Sequence, residues 1–145
     1  MKGRADDVVL LEDSDIDFDI FKMILKTLGL ELNVHRFNRI EKMTDAIQGS
    51  ELPSEISLVI CDLRLPDGNG IEVVKHLRSL TQYVNTPIVI LSTSANPKDV
   101  SECYTAGANA FHCKLTDLDA LTTQTGKLLD YWLKMVVADR KHLRF

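Results

Sequence analysis

Short aliphatic, β-branched runs alternate along the chain with longer segments whose apolar residues recur three and four apart, and this alternation restricts the fold more than any single residue. Five runs read as strands: VVLLE at 8–12, LNVHRF at 32–37, SLVIC at 57–61, PIVIL at 87–91 and AFHC at 110–113. The first, third and fourth are continuously apolar, as strands covered on both faces are. Between them, Ile16, Ile20, Ile24 and Leu28, then Ile40, Met43 and Ile47, then Ile71, Val74 and Leu77 keep helical spacing and predict amphipathic helices packed on a sheet. Gly29 and Gly49 predict C-terminal caps for the first two helices, and Asn96-Pro97 a capped start for the fourth. A final helix is predicted from Leu118 to about Ala138. Strict βα alternation requires parallel strands joined by right-handed crossovers, hence a three-layer α/β sandwich of five strands and five helices.

A chain of 145 residues, 45% hydrophobic and 26% charged, suits one domain, predicted at 6–138, with short tails at 1–5 and 139–145. A domain of this size buries roughly two-thirds of its unfolded surface and needs no disulfide to fold. Cys61, Cys103 and Cys113, odd in number and without a CxxC pair, read as reduced, buried thiols of a cytoplasmic protein. The start MKGRADD is unlike a signal peptide, and no window approaches the ~18 apolar residues of a membrane span. A net charge of −4 gives no general attraction to nucleic acid, and the basic ending RKHLRF reads as a solvated tail. His35, His76, His112 and His142 share no metal-ligand spacing.

In an open parallel sheet, ligands bind beyond the carboxyl ends of the strands. There the chain places Glu12-Asp13, followed by Ser14 and Asp15, then Asp62, Ser92-Thr93-Ser94 and Lys114. Singly, each has an ordinary reading: acids at a helix start satisfy the dipole, Asp62 opens a turn, Ser92 to Ser94 cap a helix, and Lys114 is solvated. Together they describe a site. Clustered carboxylates repel unless a cation neutralises them, and oxygen ligands of this kind suit Mg²⁺. A lysine and a hydroxyl are the tools that hold a phosphoryl group, so the combined chemistry is phosphoryl transfer onto, or off, a carboxylate.

Glu12-Asp13, Asp62, Ser92 and Lys114, with LPDGNG following Asp62, resemble the receiver domain of two-component response regulators over roughly residues 6–138. The resemblance implies a flavodoxin-like (βα)5 sandwich with strand order 2-1-3-4-5. It implies that Asp62 accepts a phosphoryl group from a sensor histidine kinase. Mg²⁺, or Mn²⁺, would be held by Asp13, Asp62 and the Arg64 backbone carbonyl, and by Glu12 through water. Lys114 and Ser92 would bind the phosphoryl oxygens, Ser92 and Phe111 would form the switch, and Arg64 and Ser94 would tune dephosphorylation. The alternative for Phe111 is ordinary core packing. Leu115 stands where the family usually has a proline with a cis bond, so how Lys114 is aimed is left open.

The chemistry expected is self-phosphorylation and autodephosphorylation only, with output through a partner rather than an enzyme activity. The stretch LLDYWLKMVV is more apolar than one buried face requires, so Tyr131, Trp132, Met135 and Val136 read either as a dimer patch or as additional core. A homodimer through helix four, strand five and helix five is expected. A weaker resemblance, to the stand-alone regulators that partner bacterial phytochromes, implies a phytochrome as the kinase. Three rivals remain: a flavin-binding electron carrier, disfavoured because EDSDID would repel phosphate; an aspartyl-phosphate phosphatase, disfavoured because Arg64 stands where an acid is needed; and a receiver-shaped scaffold that is never phosphorylated.

Overall fold

The computed structural model describes residues 5–137, so all but one residue of the expected tail at 1–5, the whole of the tail at 139–145 and the last residue of the predicted final helix lie outside the described residues. Five parallel strands, β1 (Asp6–Leu11), β2 (Leu32–Phe37), β3 (Leu58–Asp62), β4 (Ile88–Ser92) and β5 (Ala110–Cys113), form one sheet in the order β2-β1-β3-β4-β5. The helices are α1 (Asp15–Leu28), α2 (Ile40–Gln48), α3 (Gly70–Ser79), α4 (Pro97–Ala106) and α5 (Leu118–Asp130).

The continuous apolar runs are explained by two core clusters, one on each face of the sheet. Val9, Leu11, Val59, Cys61, Ile88 and Ile90 pack with Met43 of α2, Val74 of α3 and Cys103 of α4. Val8, Leu10, Leu58, Ile60 and Val89 pack with Leu25 of α1 and Leu128 and Leu129 of α5. Odd and even positions of one strand thus enter different clusters, as the pleat requires, and each buried Val, Leu or Ile contributes about 1.5–3 kcal/mol. The register then sets the functional edge. Leu11 pairs with Cys61, Asp62 with Leu91 and Ser92 with Cys113, which brings Glu12, Asp62, Ser92 and Lys114 to the same edge, within two residues of one another along the strands.

Three expectations need correction. The predicted stripe of α1 does not face the sheet throughout: Ile24 is buried, but Ile16 is 73% exposed, and the packed residues are Phe18, Phe21, Ile24 and Leu25. Steps of four residues drift by about 40° each on a helix of 3.6 residues per turn, so a strict i+4 series leaves the core at its ends. Gly29 and Gly49 cap α1 and α2 as expected, Gly29 left-handed with φ 67° and Gly49 with φ −81°, the positive φ of 54° falling on Ser50 just beyond it. The last α-helix stops at Asp130; a widened π turn, Tyr131–Met135, follows, closed by Val136 N donating to Tyr131 O at 2.9 Å. Cys61 and Cys103 are buried free thiols as expected, whereas Cys113, at the end of an edge strand, is exposed.

Candidate functional site

The carboxylate oxygens of Glu12, Asp13 and Asp62 lie within 4.8 Å of one another at the carboxyl edge of the sheet. Glu12 is only 4% exposed and is fixed from several directions. Its N–H donates to Phe37 O at 3.1 Å, and its Oε2 accepts from Ser14 N at 3.2 Å. Arg36 of β2 donates from Nε to Glu12 O at 2.8 Å and places Nη2 2.8 Å from Asp15 Oδ1, so one guanidinium fork holds the β1–α1 turn. Ser14 caps α1 by accepting from Asp17 N at 3.2 Å.

Lys114 reaches the site from the end of β5. Its Nζ stands 3.3 Å from Glu12 Oε1 and 3.5 Å from Asp17 Oδ2, and its N–H donates to Ser92 O at 2.7 Å. The Lys114–Leu115 bond is trans, because the described residues contain no cis peptide. The loop is instead clamped by Gln124 of α5, whose Nε2 donates to Cys113 O at 2.8 Å and whose Oε1 accepts from Leu115 N at 3.1 Å. Those two bonds bracket Lys114, so its side chain is aimed without a proline.

The electrostatics follow from burial. Asp62 is pushed up to about 9, first by desolvation and then by its hydrogen bond with Glu12 and the Glu12 charge. Burial pushes Glu12 up as well, but the hydrogen bond with Asp62, the Lys114 charge and the Ser14 N–H prevail and hold it below its usual value. Lys114 is shifted down by burial and up, more strongly, by Glu12, Asp62 and Asp17, and so stays charged. Without a divalent cation, the edge therefore holds one proton on Asp62 and one ion pair between Glu12 and Lys114.

The loop after Asp62 is shaped by close approach. Gly70 N donates to Leu63 O at 2.7 Å, and a Cβ at Gly70 would stand 3.0 Å from Asp62 O. Arg64–Leu65 pair antiparallel with Gly68–Asn69 in a two-residue ladder. Asn69 caps α3 by accepting from Glu72 N at 3.2 Å. Asp67 caps a different helix: its carboxylate accepts from Ile40 N at 2.9 Å and Glu41 N at 3.0 Å, at the start of α2, whose own N-cap residue, Arg39, makes no side-chain bond there. Arg64 extends into solvent and ends 3.5 Å from Asp99 of α4.

Ser92 is buried, its Oγ accepting from Ser94 N at 3.2 Å. Phe111 is half-buried against the cluster beneath α3 and α4, and its N–H donates to the Tyr104 hydroxyl at 3.1 Å. Of the expected surface patch, Trp132 packs against the core below α1 and α5 and meets Tyr131 edge to face at 5.1 Å, whereas Tyr131 and Met135 are exposed and Val136 is half-buried. The apolar-rich ending thus serves both as core and as surface. Arg36, Asp17, Gln124, Asp67 and Asp99 were not anticipated from the sequence. None lies at a strand end, and only Asp67, in the turn PDG, carried a local signal.

A parallel sheet in this order, with an acidic cluster, a hydroxyl and a lysine at its carboxyl edge, defines a receiver domain. The chain belongs to the response regulator receiver domain family, whose model matches residues 8–125. Among curated proteins it is similar to response regulator Rcp1 of Synechocystis sp., 29% identical over 132 residues, which cover 89% of this chain and 90% of that protein. It is also similar to two-component response regulator ORR1 of Oryza sativa, 25% identical over 112 residues, and spans 48% of that longer protein. Among solved structures it superposes on the phosphorylated cyanobacterial phytochrome response regulator RcpA with a TM-score of 0.83 at 25% identity, covering 93% of this chain and 99% of that one. It superposes on the Mn²⁺-bound form of Rcp1 with a TM-score of 0.81 at 25% identity, covering 92% and 99%.

Proposed function

We propose that Asp62 accepts a phosphoryl group from the phosphohistidine of a sensor histidine kinase, and that the resulting acyl phosphate changes the affinity of the domain for a partner or a second copy. The observation that carries this reading is the convergence of Asp62, Glu12, Asp13, Ser92 and Lys114 on one edge, with Asp62 the carboxylate at the end of a rigid, buried strand. In the transfer, an Asp62 oxygen attacks phosphorus while the phosphorus–nitrogen bond breaks and its electron pair returns to the imidazole. Lys114 and Ser92 then bind the phosphoryl oxygens, Ser92 moving inward and donating the O–H that its bond from Ser94 N leaves free. That inward movement, with Phe111 filling the space it leaves, is the switch; Arg64 and Ser94 tune the return reaction.

The donor set fits a hard divalent cation, since three carboxylates are gathered where a proton on Asp62 and the single ammonium of Lys114 otherwise relieve their repulsion. Asp13, Asp62 and the Arg64 carbonyl would hold Mg²⁺ or Mn²⁺ directly, and Glu12 through water. When bound, the ion supplies positive charge to the transferring phosphoryl oxygens. No role as an enzyme on other substrates is assigned: an exposed guanidinium at Arg64 cannot serve as the acid that a phosphatase needs two residues after its nucleophile.

The similarity to a phytochrome response regulator supports a phytochrome as the kinase, and free thiols support a cytoplasmic location. A groove of about 870 Å³ between β5 and α5, lined by Ala110, Leu115, Leu128, Tyr131 and Trp132, supports a homodimer through α4, β5 and α5. Sedimentation should show dimers that Tyr131→Ser weakens at least about tenfold; a monomer at high concentration, with and without an acyl-phosphate mimic, rules that assembly out. The phosphoacceptor reading is tested by intact mass after incubation with acetyl phosphate and Mg²⁺. The wild type should gain one phosphoryl group and Asp62→Asn none; no gain in the wild type under any condition points to an unphosphorylated scaffold.

A further inference from the structure

Arg64 and Asp99 join two segments that phosphorylation must affect: the loop leaving Asp62, and the first turn of the helix that follows the Ser92–Ser94 loop. Their closest approach, Arg64 Nη2 to Asp99 Oδ2, is 3.5 Å, well beyond the spacing of a strong charge-assisted hydrogen bond. The arginine side chain is 76% exposed and the aspartate 22%, so the pair is loose, largely solvated on the cationic side, and weak. Asp99 does not depend on this contact, because an acid in the first turn of α4 is already favoured by the helix dipole. Arg64 therefore rests against a single carboxylate that holds it lightly.

Phosphorylation places a stronger anion two residues away. An acyl phosphate brings about −1.5 to −2 charges and three acceptor oxygens matched to a guanidinium fork. We propose that Asp99 holds Arg64 away from the phosphoryl site in the resting protein, and that Arg64 exchanges Asp99 for the acyl phosphate on phosphorylation. The inference rests on Asp62 as phosphoacceptor. Asp99 is then a positioning residue that acts on acyl-phosphate lifetime through Arg64. In hydrolysis, a water oxygen attacks phosphorus, the bond from phosphorus to the Asp62 oxygen breaks, and its electron pair returns to Asp62 as carboxylate while the water proton leaves with phosphate. A guanidinium seated on the phosphoryl oxygens obstructs that attack.

The test is a two-by-two comparison of wild type, Arg64→Gln, Asp99→Asn and the double variant, each labelled with acetyl phosphate and Mg²⁺ and followed by intact mass after the donor is removed. Arg64→Gln should shorten the lifetime and Asp99→Asn lengthen it, each by roughly two- to fivefold, the range set by an exposed pair. The double variant should match Arg64→Gln alone, because Asp99 has no effect without the arginine to hold. Additive effects, or an unchanged lifetime in Asp99→Asn, overturn the exchange of partners while leaving the phosphoacceptor reading intact. Failure of the wild type to label overturns both.

Discussion

Asp62 combines burial with a neighbouring carboxylate, and its protonation has a measurable consequence. With its carboxyl pushed up to about 9, the metal-free protein carries a proton there at pH 7 that the unfolded chain, at about 3.9, does not. The folded state binds more protons than the unfolded one between those values, so stability falls as pH rises across that window and is greatest below it. Asp62→Asn, which cannot ionise, should therefore raise the melting temperature of the metal-free protein at pH 8 by at least about 4 °C. Cation binding must expel the same proton. Calorimetric titration of Mg²⁺ at pH 7 in buffers of different ionisation enthalpy should report release of close to one proton in the wild type and little in Asp62→Asn; equal release in both would remove Asp62 from the metal site. The residues at strand ends were legible because a parallel sheet delivers every strand terminus to one edge. Arg36, Asp17 and Gln124 were not, because each acts across the fold on a backbone group or a side chain with no motif of its own.

Elements hold the site together through contacts that sequence periodicity does not report. Asp67 sits in the loop that follows Asp62 yet caps α2, so it couples that loop to a helix on the α2–α3–α4 face of the sheet. Asp67→Ala should cost about 1 kcal/mol of stability, measured by urea unfolding, as the loss of an N-cap does. The α2 backbone bonds, from Glu41 N first, hold the Asp67 carboxyl below its ordinary value, so its contribution is present at neutral pH and is lost as pH falls through that lowered value. Arg78 of α3 plays the corresponding part at the other end of the sheet, donating to Gly107 O at 3.0 Å, to Tyr83 O and Thr86 O at 2.8 Å, and to Asn109 Oδ1 at 2.8 Å. Lysine cannot reproduce that fork, and Arg78→Lys should cost about 2 kcal/mol by the same measurement. The sequence located all five helices, the first three by helical spacing and the fourth by its cap, but misjudged the buried face of α1 and the end of α5. The i+4 drift and a widened turn decide those features, and both depend on what the helix packs against.

For the whole molecule, three apolar strands in the centre and two half-buried ones at the edges give a sheet that needs helices on both faces, and the described residues provide them. That architecture follows from the alternation of runs alone. The level at which the strands end was not written in the alternation; it is set by register, and register converts four separated short motifs into one site. The proposed switch requires Asp62 to be the carboxylate that takes the phosphoryl group at that site. The most direct measurement is borohydride reduction of the protein after acetyl phosphate and Mg²⁺, followed by peptide mapping, since hydride converts an aspartyl phosphate to homoserine where it stands. Homoserine at position 62 is the predicted result; homoserine at position 13 alone, or at no aspartate of a phosphorylated sample, would contradict it.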